Sequence, residues 1–193
     1  MIVSTDSDEI AATARTLGAD VPFLRPPEFA RDETPMLDVV VDLVRTLVSR
    51  EQYEADVLVL LQPTSPFRRP EHVDAAVDLL VASGADSVVT VVEVPHQFSP
   101  VSLFTLEGDR LQRWDAQGTL APTRRQDKPT LFARNGPAVI AMRTGVVTEQ
   151  ASLYGTDIRA LVMARQDSID IDDQFDLELA ELLLMRGAAQ SRG

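Results

Sequence analysis

Near its carboxyl end the chain reads DSIDIDDQFD, Asp167 to Asp176, with two acids separated by a single residue. If 168–172 is extended, Ile169 and Ile171 face one way while Asp170 and Asp172 face the other. Strand geometry then sets their Cα atoms about 6–7 Å apart. Two carboxylates converging on a cleft repel each other unless a cation lies between them, and hard oxygen donors suit Mg²⁺. The same letters also describe a helix start, with Asp172 or Asp173 as N-cap and the other acids in solvent.

A second candidate is LLQPTSPFR, Leu60 to Arg68, which follows the apolar run Val57 to Leu61. Two prolines confine it, and Gln62, Thr64, Ser65 and Arg68 offer donors where a strand ends. Open α/β sheets bind ligands in crevices at such strand ends. The Gln62 amide both donates and accepts, which suits reading a base or sugar edge. The competing reading is a Pro-braced turn whose hydroxyls cap the next helix. A third segment, TRRQDKPTLFARNG, Thr123 to Gly136, gathers Arg124, Arg125, Lys128 and Arg134. Local positive charge of this kind suits a polyphosphate or an acidic sugar, and a solvated hairpin or dimer arm is the alternative. Arg25 sits between a short apolar run and Pro26–Pro27, a place that could aim it, though a lone arginine is expected to make a surface ion pair. His72 and His96 have no ligand spacing, and no catalysis is assigned to them.

The elements that must position these residues alternate between apolar runs and amphipathic helices. A helix runs to about Leu17, with Asp6 and Glu9 at capping-box spacing and Gly18 as its stop. Val21 to Leu24 reads as a short strand, and Thr34–Pro35 opens a helix to about Arg50. Val57 to Leu61 and Ser87 to Val92 read as buried strands, with a helix from Pro70 to about Ala82 between them. Ala138 to Met142 and Ile158 to Met163 complete the set of strands. A final broad-faced helix, about Phe175 to Met185, is expected to be well buried. This order predicts an α/β fold with helices on both sides of a mostly parallel sheet, a three-layer α/β/α arrangement. From 95 to 137 the rhythm breaks into short strands punctuated by Gly and Pro, which predicts an inserted hairpin lobe.

The 193 residues suffice for one domain with a sizeable core. There is no Cys, so disulfides, thiolate chemistry and thiolate-bound zinc are excluded. The net charge of -12, from 30 acids and 18 bases, argues against nucleic acid and anionic membrane as partners. No apolar run is long enough to cross a bilayer. Strand-like residues follow Met1 directly, without a secretory apolar stretch, and a cytoplasmic location is expected.

The collected segments resemble the acylneuraminate cytidylyltransferase family, the CMP-sialic acid and CMP-nonulosonic acid synthetases. VSTDSDEIAATARTLGADVPFLRPPEFARD, LLQPTSPFRRPEHV, RRQDKPTLFARNG and QDSIDIDDQFDLELAE carry the likeness, in family order from Ile2 to about Leu184. The resemblance implies a Rossmann-like nucleotidyltransferase domain over 1–193, with an inserted dimerisation arm at about 95–137. It implies cytidylyl transfer from CTP to the anomeric hydroxyl of an acidic nine-carbon or related sugar, with release of pyrophosphate. Asp170 and Asp172 would hold Mg²⁺, and Arg25 and Gln62 would bind the nucleotide. Gln62, Arg125, Gln126 and Asn135 would contact the sugar, and the protein would be a homodimer.

Three departures accompany the likeness. The family's initial strand and basic phosphate loop have no counterpart here, so the first βα unit is expected to be missing and turnover by this chain to be weak. Pro35–Met36 stands where the family often has small hydroxyl residues near the nucleotide, so altered base recognition is expected, and Val139 stands where sialic-acid members commonly carry Tyr, which leaves the sugar open. A non-catalytic remnant that binds a sugar or a protein, and a nucleotide-sugar glycosyltransferase, are the alternative functions.

Overall fold

The computed structural model describes residues 1–114, 124, 129–136 and 138–190, with side chains to 186. Arg125, Gln126 and Lys128, three of the residues singled out above, lie outside the described residues. The chain divides into two compact units, 1–58 with 142–158, and 59–141 with 159–193.

In the first unit, helix α1 (Asp8–Thr16) starts at Ser7, not at the expected Asp6. Ser7 is extended, and its hydroxyl accepts the Ile10 N–H at 3.3 Å, while Asp8 and Glu9 face the positive end of the helix dipole. Gly18 ends the helix at φ +84°, a conformation that costs a residue without a Cβ little. Ala11 and Ala14 pack with Ala19, Val21 and Val3. The expected strand at Val21–Leu24 does not form, and a single parallel bridge pairs Ile2 with Asp20. Pro22 and Pro26 lack the N–H that a ladder needs.

Helix α2 (Met36–Glu51) buries Val39, Val40, Val44 and Leu47 and packs against α4 (Thr144–Thr148), which buries Val146 and Val147. Thr34 does not cap α2; its hydroxyl donates to the Glu28 carbonyl at 3.3 Å.

A five-stranded sheet runs in the order β1 (Val57–Leu60), β6 (Ile140–Arg143), β2 (Ser87–Glu93), β5 (Phe132–Arg134), with β7 (Ile158–Val162) also pairing with β2. Strand β5 is antiparallel to β2, with Val91 opposite Arg134 and Glu93 opposite Phe132. In the second unit, α3 (Pro70–Ser83) begins with proline, whose absent N–H costs nothing in a first turn, and stops at Gly84 with φ +70°. It packs Ala76 and Leu80 toward β2, where Ser87 through Thr90 are buried. The buried Thr90 hydroxyl donates to the Val139 carbonyl at 3.1 Å and accepts the Val139 N–H at 3.0 Å, so it is matched both as donor and as acceptor.

Strands β3 (Phe104–Glu107) and β4 (Arg110–Arg113) make a separate two-stranded antiparallel sheet within the expected insert. The terminal helix α5 (Gln174–Gln190) departs from expectation. Ala180 is buried, but Phe175, Leu182, Leu184 and Met185 are exposed. The leucines are spread around the axis, so no single stripe can cover them all.

Leu80 is fully buried, whereas its neighbour Val81 is 65% exposed. Leu80→Ala is expected to lower stability by about 2–5 kcal/mol, and Val81→Ala by under about 0.5 kcal/mol. Urea denaturation midpoints of the two variants check the contrast.

Candidate active site

The turn after β1 is held by bonds within it and by one to the segment that leads into β6. The Ser65 N–H reaches the Gln62 carbonyl at 3.5 Å, and the Arg68 guanidinium donates to the carbonyls of Gln62 at 3.0 Å and Ala138 at 2.8 Å. Burial pulls the Arg68 pKa below its ordinary value. Arg68, expected as a donor facing a crevice, is therefore a clasp for main-chain carbonyls. Gln62 is half-buried, and its side-chain amide has no hydrogen-bond partner among the described residues.

The hydroxyls of this turn do not cap α3. Ser65, 1% exposed, donates through Oγ to Asp170 Oδ1 at 3.4 Å, and the Thr64 carbonyl accepts the Ile171 N–H at 2.9 Å. Two bonds thus join the turn to the acidic segment 105 and 107 positions further along.

That segment is not the extended strand the spacing predicts. Residues 165–167 form a 3₁₀ turn, and 168–172 have neither strand nor helix. With no neighbouring strand to bond to, the alternation of Asp170 and Asp172 across a pleat has no ladder to maintain it. Asp170 is half-buried and Asp172 is exposed. The helix-start reading holds for the acids that follow. Asp173 Oδ1 accepts the Asp176 N–H at 3.0 Å, and Asp176 Oδ2 accepts the N–H groups of Asp173 at 3.3 Å and Asp172 at 3.1 Å.

Asn135 and Gly136 close the other side of Asp170. Asn135 is 4% exposed, and its Nδ2 donates to Ser168 Oγ at 2.9 Å and to Met163 Sδ at 3.3 Å. Ser168 Oγ itself donates to the Ala164 carbonyl at 2.9 Å, which fixes the amide with nitrogen toward Ser168. Asn135 Oδ1 is left buried without a donor, an arrangement that calls for water or a ligand hydroxyl. Gly136 has φ +68°, and a Cβ there would lie 2.5 Å from Asp170 Oδ2. Beyond Met163 opens a cavity of about 660 Å³, whose lining includes Glu93, His96, Gln97, Ser99 and Arg165.

Gln62, Asn135, Asp170 and Asp172, four of the expected site residues, are carried by the second unit. Arg25 belongs to the first unit. Its N–H bonds the Thr5 carbonyl at 2.8 Å, and its guanidinium donates to Ser4 Oγ at 3.1 Å and to the Ser4 carbonyl. These three bonds anchor it to Ser4 and Thr5, in place of the surface ion pair expected of a lone arginine.

One cluster escaped the sequence. Asp167 is buried and bonds Arg69 Nη2 at 2.8 Å, with His72 Nε2 at 3.6 Å. Pro70 as first helical residue with a histidine two positions later was a usable sign of a side-chain cap at His72. The 98-residue separation from Asp167 left no sign at all. No group of three or more acids and histidines suited to a metal occurs among the described residues. No helix among them is long and apolar enough to cross a membrane.

The sequence model of the family described as "Cytidylyltransferase" matches residues 1–186. The CMP-N,N'-diacetyllegionaminic acid synthase of Legionella pneumophila is 34% identical over 192 residues, covering 95% of this chain and 77% of that protein. The N-acylneuraminate cytidylyltransferase A of Danio rerio is 33% identical over 184 residues, and the chain spans 40% of its length. The solved structure of CMP:2-keto-3-deoxy-manno-octonic acid synthetase complexed with CTP superposes with a TM-score of 0.65 at 15% identity. That match covers 96% of this chain and 80% of the other, and it shows a shared α/β fold.

The contact between Gly136 and Asp170 is directly testable. In Gly136→Ala the added Cβ meets the carboxylate at 2.5–2.9 Å, on a backbone with φ +68°. The variant is expected to lose at least about 1 kcal/mol of stability and to swing Asp170 off Ser65. Thermal denaturation and a crystal structure of the variant read the two effects.

Proposed function

The chain belongs to the cytidylyltransferase family, and from that premise we propose that it transfers the cytidylyl group of CTP to the anomeric hydroxyl of an acidic nine-carbon or related sugar. In this reaction the sugar oxygen bonds to the α-phosphorus, the bond to the β-phosphate bridge breaks, pyrophosphate departs and the hydroxyl proton passes to solvent. No protein nucleophile is needed; alignment and charge stabilisation carry the rate. The observation that carries the reading is the meeting of Asp170 with Ser65 and Gly136, from three separate chain segments, beside the turn that follows β1. Relatives named for CMP-sugar synthesis and acylneuraminate transfer support the same substrate class.

In this proposal Asp170 and Asp172 hold Mg²⁺. One half-buried and one exposed carboxylate beside a serine hydroxyl suit an ion that keeps several waters and shares its coordination with phosphate oxygens. The ion, when bound, neutralises charge on the triphosphate. The free amide of Gln62 reads the substrates at the end of β1, and Arg25 serves the nucleotide. Asn135 Oδ1, lacking a donor, accepts from a sugar hydroxyl. Arg125 and Gln126 complete the sugar contacts, and the cavity beyond Met163 seats the sugar, with Arg165 facing its carboxylate. A three-layer Rossmann-like arrangement belongs to the same proposal.

The second copy in a homodimer is proposed to cover the β3–β4 hairpin. Leu106 and Leu111 are cross-strand partners, 68% and 64% exposed, and Phe104 shares their face. A two-stranded hairpin is marginal alone, and an apolar face gains by burial. Light scattering of Leu106→Asp and Leu111→Asp should report a monomer if the wild type is a dimer through this face. Dimeric variants would remove the hairpin from the interface.

The reaction itself is tested by Mg²⁺-dependent pyrophosphate release from CTP with a panel of nonulosonic acids. Asp170→Asn is expected to lower the rate by about 10²-fold or more, and the exposed Asp172 to cost less when changed to Asn. An unchanged rate in Asp170→Asn, or no sugar acid accepted, would overturn the proposal.

A further inference from the structure

Asp167 is the single buried acid among the described residues, at 8% exposure, and the proposed reaction gives it no task. A carboxylate so placed is costly without partners. Arg69 supplies a bond of 2.8 Å, but its side chain is 59% exposed, so solvent screens much of that attraction. His72 is better enclosed, with its side chain 13% exposed. Its Nδ1 accepts the Arg69 backbone N–H at 3.1 Å, and its Nε2 lies 3.6 Å from Asp167 and 3.3 Å from Arg69 Nη2. One imidazole thus closes the first turn of α3 and faces Asp167.

Between Asp167 and Asp173 no helix or strand holds the backbone. Its fixed points are Asp167 on α3, Ser168 on Asn135 at 2.9 Å, and the Ile171 N–H on the Thr64 carbonyl at 2.9 Å. Asp170 lies between the last two.

We propose that Asp167, bonded by Arg69 and faced by His72 at the start of α3, is a positioning residue that fixes the backbone of 168–171 so that Asp170 meets the Ser65 turn. The inference rests on the reading of Asp170 as a functional carboxylate. It adds a residue that touches neither substrate nor metal yet sets where that carboxylate stands.

Amide hydrogen exchange of the full chain is the test, because it needs neither metal nor substrate. In Asp167→Ala the Ile171 amide should exchange at least about 10-fold faster, while the buried β2 amides of Val88 and Val89 keep their protection. Asp167→Asn, which retains the shape and an acceptor, should restore most of the protection. His72→Phe keeps the volume without the imidazole and should give an intermediate rate. Unchanged exchange at Ile171 in Asp167→Ala, or an equal increase at Val88 and Val89, overturns the latch. Pyrophosphate release measured on the same variants separates the two readings. Fast exchange with undiminished turnover would leave the latch standing and overturn the role given to Asp170.

Discussion

The acids of the candidate site sit on a stretch of chain with no regular secondary structure, and everything proposed for them depends on what holds that stretch. An irregular backbone has few bonds of its own, so its position is borrowed from better-ordered neighbours. Here the lender is the turn after β1, through the Thr64 carbonyl and the Ser65 hydroxyl. That turn is itself held, because the Arg68 guanidinium bonds the Gln62 carbonyl within it and the Ala138 carbonyl just before β6. Charge-assisted bonds to carbonyls are worth more than neutral ones, and losing the guanidinium would take a donor from the carbonyl of the fully buried Ala138. Rigidity therefore passes from Arg68 to the turn, and from the turn to Asp170.

Gly136 complements this by subtraction. A half-buried carboxylate needs room as well as anchors, and the absent Cβ provides it. Its left-handed φ makes glycine doubly suited to the position. Asn135 beside it shows the opposite condition, a buried carbonyl oxygen with no donor. A site shaped for a ligand commonly leaves such a group to be satisfied on binding, since satisfying it internally would remove its power to discriminate.

The apolar surface has a different logic. The β3–β4 hairpin and α5 both expose large aliphatic or aromatic side chains. In the hairpin the register lines up Leu106 with Leu111, giving a face. In α5 the exposed residues split between two sides of the helix, Phe175 with Leu182 and Met185 on one and Leu177 with Leu184 on another, so no single face gathers them. The paired register gives the hairpin the geometry of a self-complementary contact, and the proposed assembly rests there.

Much of the framework could be read from the sequence. Apolar runs of strand length marked β1 and β2, Pro70 and Gly84 bracketed α3, and Gly18 ended α1, because caps and periodicity act within a few residues of where they are seen. Asp170, Asn135 and the Gln62 turn were legible as a family pattern. Tertiary structure alone decided the rest. It turned Arg68 inward, denied Val21–Leu24 a partner strand, released Ser168–Asp172 from an extended form and paired Asp167 with Arg69 across 98 positions. A local pattern states which backbone conformation is favourable. The direction of a polar side chain follows from which distant donor or acceptor the folded chain brings within about 3 Å, and nothing in the neighbouring residues encodes that.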